Sequence, residues 1–112
     1  MRQEFIPIKT KWETGRVNLD DVIYIEKDLK KINIHTYNRK ISLYGKMDCI
    51  IQYLDDRFLI CHRSYIFNMD KIVHMAVADQ ALCMETNKSI YLGRESFRKA
   101  RRSFDLYLQQ KS

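Results

Sequence analysis

The sequence predicts a mainly β fold with one short inner helix and one C-terminal helix, and three observations predict it. Short β-branched and aromatic runs recur, the densest being Val22-Ile23-Tyr24-Ile25. Apolar and polar residues alternate through residues 32–37 and again through 40–44. Helical spacing of apolar residues appears in only two places, at residues 47–54 and from residue 94 onward.

The elements follow in order. Residues 3–9 read as a strand with Pro7 at a sheet edge, because proline has no N–H to give to a ladder. Glu13-Thr14-Gly15-Arg16 reads as a turn and Val17-Asn18-Leu19 as a short strand. Asp20 and Asp21 then precede the strand Val22-Ile23-Tyr24-Ile25-Glu26. Lys27 to Lys31 is a charged hairpin connection, and Asn38-Arg39 a tight turn, since Asn tolerates positive φ. After Gly45, the residues Met47, Ile50, Ile51 and Leu54 share one face of a helix that Asp55-Asp56 ends. A strand is expected around Ile72-Val73-His74-Met75, then a hairpin joining 81–85 to 89–92 across Thr86-Asn87-Lys88. Gly93 can cap the last helix, whose apolar stripe is Phe97, Ala100, Phe104, Tyr107 and Leu108. Arg94, Arg98, Lys99, Arg101 and Arg102 form its basic face.

The chain's 112 residues are enough for one domain with one core. Net charge is +6, with 20 Lys and Arg against 14 Asp and Glu, which favours a polyanionic partner. Three cysteines (Cys49, Cys61 and Cys83) without close spacing fit neither a disulfide framework nor a zinc motif, and point to free thiols in a reducing cytosol. Residues 1–10 lack the apolar core of a secretory signal, and no apolar run reaches the ~18 residues that a membrane span needs. No phosphate-binding glycine loop, Ser-His-Asp set or metal-ligand cluster is present, so no enzyme, metal or cofactor is expected.

The most informative stretch runs from Arg57 to Ile72. Phe58, Leu59 and Ile60 anchor one side and Tyr65, Ile66 and Phe67 the other, so the polar knot between them must turn outward. His62, Arg63 and Ser64 in that knot can all donate to phosphates or base edges. Ser64 is equally able to tie its own turn, and His62 to pack. Cys61 reads as an inward core cysteine, the alternative being a thiol activated by His62. His35 and His74 have no metal-like partners, and Tyr53, Tyr65, Phe67 and the alternating aromatics read as core.

Three stretches carry a family resemblance. They are Asp21-Val22-Ile23-Tyr24-Ile25-Glu26, then Phe58 to Ile72 with His62-Arg63-Ser64-Tyr65 and Asn68, and Ile90-Tyr91-Leu92-Gly93-Arg94. Together, over residues 17–108, they resemble the LytTR family of DNA-binding domains from bacterial response regulators. The resemblance implies an elongated arrangement of antiparallel sheets that reaches duplex DNA through loops and strand ends, without a recognition helix. It implies contacts at Lys30 and Lys31, at His62 and Arg63, and at Arg94, with phosphate roles open to Ser64 and Arg98. Many members carry Ser where Gly93 stands here. The resemblance also implies promoter direct repeats as target and an upstream receiver domain or sensor kinase system. Without a stretch of receiver size before Met1, the chain reads as a free-standing or an excised domain. From the residues alone, a small basic β domain that binds RNA and a protein-interaction module stay open as alternatives.

Overall fold

A computed structural model describes residues 4–62 and 64–111, with His62 described through its backbone. Its ten strands are β1 (Phe5–Lys9), β2 (Thr14–Asn18), β3 (Val22–Asp28), β4 (Lys31–Thr36), β5 (Lys40–Tyr44), β6 (Phe58–His62), β7 (Tyr65–Asn68), β8 (Ile72–Ala76), β9 (Ala81–Met84) and β10 (Ser89–Tyr91). Two helices join them, α1 (Asp48–Ile51) and α2 (Arg94–Lys111). All pairings are antiparallel, in a central sheet ordered β5-β4-β3-β7-β6, a three-stranded sheet β10-β9-β8 and the β1-β2 hairpin. The molecule is elongated, with extents of 42 × 32 × 24 Å.

The central sheet is covered on both faces, which explains the pattern of β3. Ile23 and Tyr24 join Leu59, Phe67, Leu82, Met84 and the Phe97, Ala100 and Phe104 side of α2 in one core. Val22 and Ile25 join Ile6, Ile8, Ile32, Ile34, Ile66 and Ile50 in a second core under β1-β2 and α1. A strand buried on both faces reads as a continuous apolar run and loses the alternation that β4 keeps. Asn68, fully buried, ties the two halves. Its amide donates to the carbonyls of Val22 at 2.8 Å and Leu19 at 3.3 Å, while its oxygen accepts from the Asp70 N–H at 3.0 Å.

Five expectations are corrected. The first turn lies at Thr10–Glu13, where the Thr10 hydroxyl accepts from the N–H groups of Trp12 and Glu13, and residues 14–18 form a strand. Gly15 is a strand residue opposite Ile8, and Leu19 opens a single 3-10 turn. α1 is one turn long, and Leu54 lies beyond it. Leu108 does not join the α2 stripe and is 48% exposed, while its neighbour Tyr107 keeps that turn's contact with the core. The aromatics are not all core, since Trp12, Tyr44 and Tyr91 are exposed.

Candidate nucleic-acid interface

The antiparallel order puts one set of strand ends side by side. β3 ends at Asp28 where β4 begins at Lys31, and β5 ends at Tyr44 opposite that same lysine. β7 begins at Tyr65, opposite Glu26 of β3, and β6 ends there at His62. The β3-β4 turn, the end of β5 and the β6-β7 turn therefore emerge from one end of the central sheet.

Backbone bonds fix these loops to one another. The Lys27 N–H donates to the Ser64 carbonyl at 2.8 Å, and the Lys27 ammonium donates to the Gly45 carbonyl at 2.7 Å. The Gly45 N–H donates to the Lys30 carbonyl at 3.2 Å. On the far side α2 packs along β6, and the Cys61 thiol donates to the Ser96 carbonyl at 3.3 Å. The start of α2, and with it Arg94, thus stands next to the end of β6.

Each predicted contact residue has a defined place, apart from Arg63, which lies outside the described residues, and His62, described only by its backbone position in β6. Lys30 and Lys31 are exposed on the β3-β4 turn, and the Lys31 ammonium lies 5.8 Å from the Tyr44 ring. Ser64 is half-buried and its carbonyl is the acceptor for Lys27, so at least its main chain ties the turn. Arg94 is exposed in the first turn of α2, where Gly93 takes the cap position and its carbonyl receives the Phe97 N–H at 2.8 Å. Arg98 is exposed and engaged by the Glu95 carboxylate at 3.0 and 3.1 Å. The structure brings the Lys30, Ser64 and Arg94 loops into one row.

Two cations that the sequence reading passed over stand in the same row. Lys27 and Lys46 line an open hollow of about 430 Å³ beside the β6-β7 turn, with Met47, Ile60 and Ser64. Their signal was positional, since each stands two residues past the last apolar residue of a strand that ends at this edge. Arg57, by contrast, belongs to the scaffold. It is 4% exposed, and its guanidinium meets Asp55 at 2.8–3.2 Å and Asp20 at 2.6 Å, at the opposite end of β6. The Asp55 carboxylate, first of all, holds its pKa above the ordinary value.

Cys61 is half-buried against the α2 core, as an inward cysteine should be. Burial pushes its thiol pKa up, and the opposing pull of Lys99 is smaller, so the thiolate is disfavoured. All three cysteines are free. Among the described residues no helix is long and apolar enough to cross a membrane.

With this geometry in view, comparison with known proteins is informative. The family model for the LytTr DNA-binding domain matches residues 13–105. Accessory gene regulator protein A of Staphylococcus aureus strain N315 is 29% identical over 90 residues, covering 79% of this chain and 37% of that protein. Its Staphylococcus epidermidis counterpart is 36% identical over 58 residues, covering 50% of this chain and 24% of that protein. The chain thus spans little more than a third of the length of the first relative and about a quarter of the second. A solved LytTr DNA-binding domain, assigned to a methyl-accepting/DNA response regulator from Bacillus cereus, superposes with a TM-score of 0.74 at 21% identity. That match covers 91% of this chain and 96% of the solved one.

Proposed function

Since the chain belongs to the LytTR family of DNA-binding domains, we propose that it reads duplex DNA sequence-specifically through the row of loops at the end of its central sheet. In this reading residues 1–112 are one output domain of a bacterial transcription regulator of the two-component or quorum-sensing type. It works in the cytoplasm on paired direct repeats, under a receiver domain or sensor kinase system.

The observation that carries the proposal is the gathering of Lys30, Lys31, the 62–64 turn and Arg94 along one edge, with Lys27 and Lys46 between them. Lysines at strand ends neutralise phosphates and set the register of a protein on the duplex. Arg63 and Arg94 have the planar fork that reads guanine in the major groove, worth ~1–3 kcal/mol per good contact. The first turn of α2 adds unpaired N–H groups that favour a phosphate. No long helix projects alone from this edge, so the contacts fall to loops.

The covered faces of the central sheet weigh against the RNA alternative. Single-strand RNA modules stack bases on an open sheet face, whereas here both faces carry packed cores.

The test is selection of bound sequences from a random duplex pool, followed by titration of the selected site with wild type and Arg63→Ala. The expected result is a recurring motif, an affinity loss of ~1–3 kcal/mol for the variant, and relaxed preference at one base position. Enrichment of no motif, or equal affinity for single-stranded RNA, would reject the proposal.

A further inference from the structure

A second surface of this domain borders the loop row at the end of β5, extends from there to the Thr10–Glu13 turn, and is built for a different partner. The turn Thr10–Glu13, the outer edge of β5 and α1 enclose an open groove of about 600 Å³. Trp12 and Tyr44 stand on its rim, 85% and 78% exposed, although each carries a large apolar ring. Exposed Trp and Tyr rings on a concave surface mark sites of partner contact, because both gain on burial and keep a polar handle.

The groove is also charged with one sign. Lys9 and Lys11 line it, and no acidic residue does. The Lys11 ammonium lies 5.4 Å from the Trp12 ring, and Lys31 stands beside Tyr44, so cations flank both aromatics. A second copy of this chain, with net charge +6, would meet this face with repulsion. An acidic partner would not.

The third feature is backbone. β5 is an edge of the central sheet, and among the described residues no strand pairs with its outer side. In an antiparallel strand alternate residues turn N–H and C=O outward, which is a template for one more strand. Ser42, Leu43 and Tyr44 of β5 line the groove, so the free edge and the aromatic rim face the same space.

We propose that this groove is a docking site for an extended acidic segment of a partner protein. The segment adds to β5 by main-chain hydrogen bonds. One apolar side chain of the segment lies against Trp12 and Tyr44, and its carboxylates meet Lys9 and Lys11. A duplex would use the cations here but neither the free strand edge nor the apolar rim, which an extended peptide uses together.

Trp12 is the chain's one tryptophan, so its emission reports on the groove directly. The probe is a synthetic nine-residue peptide alternating Glu with Val and Phe. Its controls are the same peptide with Lys for Glu, and one with a central Pro that blocks strand pairing. The acidic peptide is expected to shift Trp12 emission to the blue and to bind saturably, while both controls bind at least about tenfold more weakly. Lys9→Glu and Lys11→Glu, both exposed, should weaken binding by about the same factor without changing the melting temperature. Binding should persist when the domain is saturated with its selected duplex. Equal binding of the Lys peptide, or no emission shift at any accessible concentration, would overturn the proposal. So would duplex DNA that itself shifts Trp12 and displaces the peptide, since the groove would then be a DNA surface.

Discussion

At the scale of single residues, charge is used in two opposite ways. Arg57 is buried against Asp55 and reaches out to the exposed Asp20, and removing it takes the cation away from Asp55 in a nearly closed site. Arg57→Ala should therefore cost about 3–5 kcal/mol of folding stability, read by urea unfolding, as expected for breaking a buried pair. Arg94 is exposed at the positive end of α2, where a cation loses a few tenths of a kcal/mol. Arg94→Ala should leave stability equal or slightly higher, while affinity for the selected duplex falls by ~1–3 kcal/mol. Arg94→Lys should restore most of that loss if the contact is a phosphate and little if it is a base edge, because lysine has no planar fork. Melting and titration of the three proteins at one salt concentration separate scaffold from contact. The Tyr24 phenol gives a pH signature. Burial first, then Glu26 and Tyr65, pushes its pKa up from 10.0 to about 12. A group that binds its proton more tightly when folded contributes stability that is intact below its unfolded pKa and lost as pH rises through the folded one. Stability should therefore fall between pH 10 and about 12, and Tyr24→Phe should make that fall shallower in denaturant titrations across the range.

At the scale of elements, the β3-β4 hairpin carries a strained turn. Asp28 pairs with Lys31, so Leu29 and Lys30 form a two-residue loop, and Leu29 has φ of 57° and is 89% exposed. A left-handed backbone costs a non-glycine residue roughly 1–2 kcal/mol, against about 0.5–1 for the extra freedom of an unfolded glycine. Leu29→Gly should thus stabilise the domain by up to about 1 kcal/mol in urea unfolding. The hairpin itself was legible in the sequence, because Ile32 and Ile34 alternate with polar residues and the connection is all charge at its ends. The turn between β1 and β2 was not, since Gly15 looks like a breaker while the real turn is built by the Thr10 hydroxyl. The extent of α1 was overread for a similar reason. Its apolar spacing continues to Leu54, but after Ile51 the α-helical pairing gives way to tighter turns, in which the Tyr53 and Leu54 N–H groups donate to the carbonyls of Ile50 and Ile51 at 3.0 Å. The candidate contact residues could be named from the 62–64 motif and from the family resemblance, yet not assembled. Strand order decides that Lys27 and Lys46 join them, and strand order leaves no local mark in a sequence.

At the scale of the whole molecule, the proposed reading has the elongated body meet DNA at one basic end, and binding should be dominated there by phosphate neutralisation. The slope of log K against log salt should be about −0.9 for each phosphate engaged. Changing both Lys30 and Lys31 to Ala should reduce its magnitude by about 2, measured by fluorescence anisotropy across a salt series. A slope unchanged in the double variant would move the phosphate contacts off this turn. The bonds from Lys27 to Ser64 and Gly45, and from Cys61 to Ser96, also have a consequence in time. In the proposed reading the row draws on residues from Lys30 to Arg94, so no stretch of chain shorter than that span can present it whole. A polypeptide still on the ribosome, with β7 made and α2 not yet released, carries two of the three loops but leaves the Phe97 and Phe104 side of its core open to water. Such a nascent chain lacks the Arg94 part of the proposed row, so full affinity for the duplex is expected only once the helix has docked.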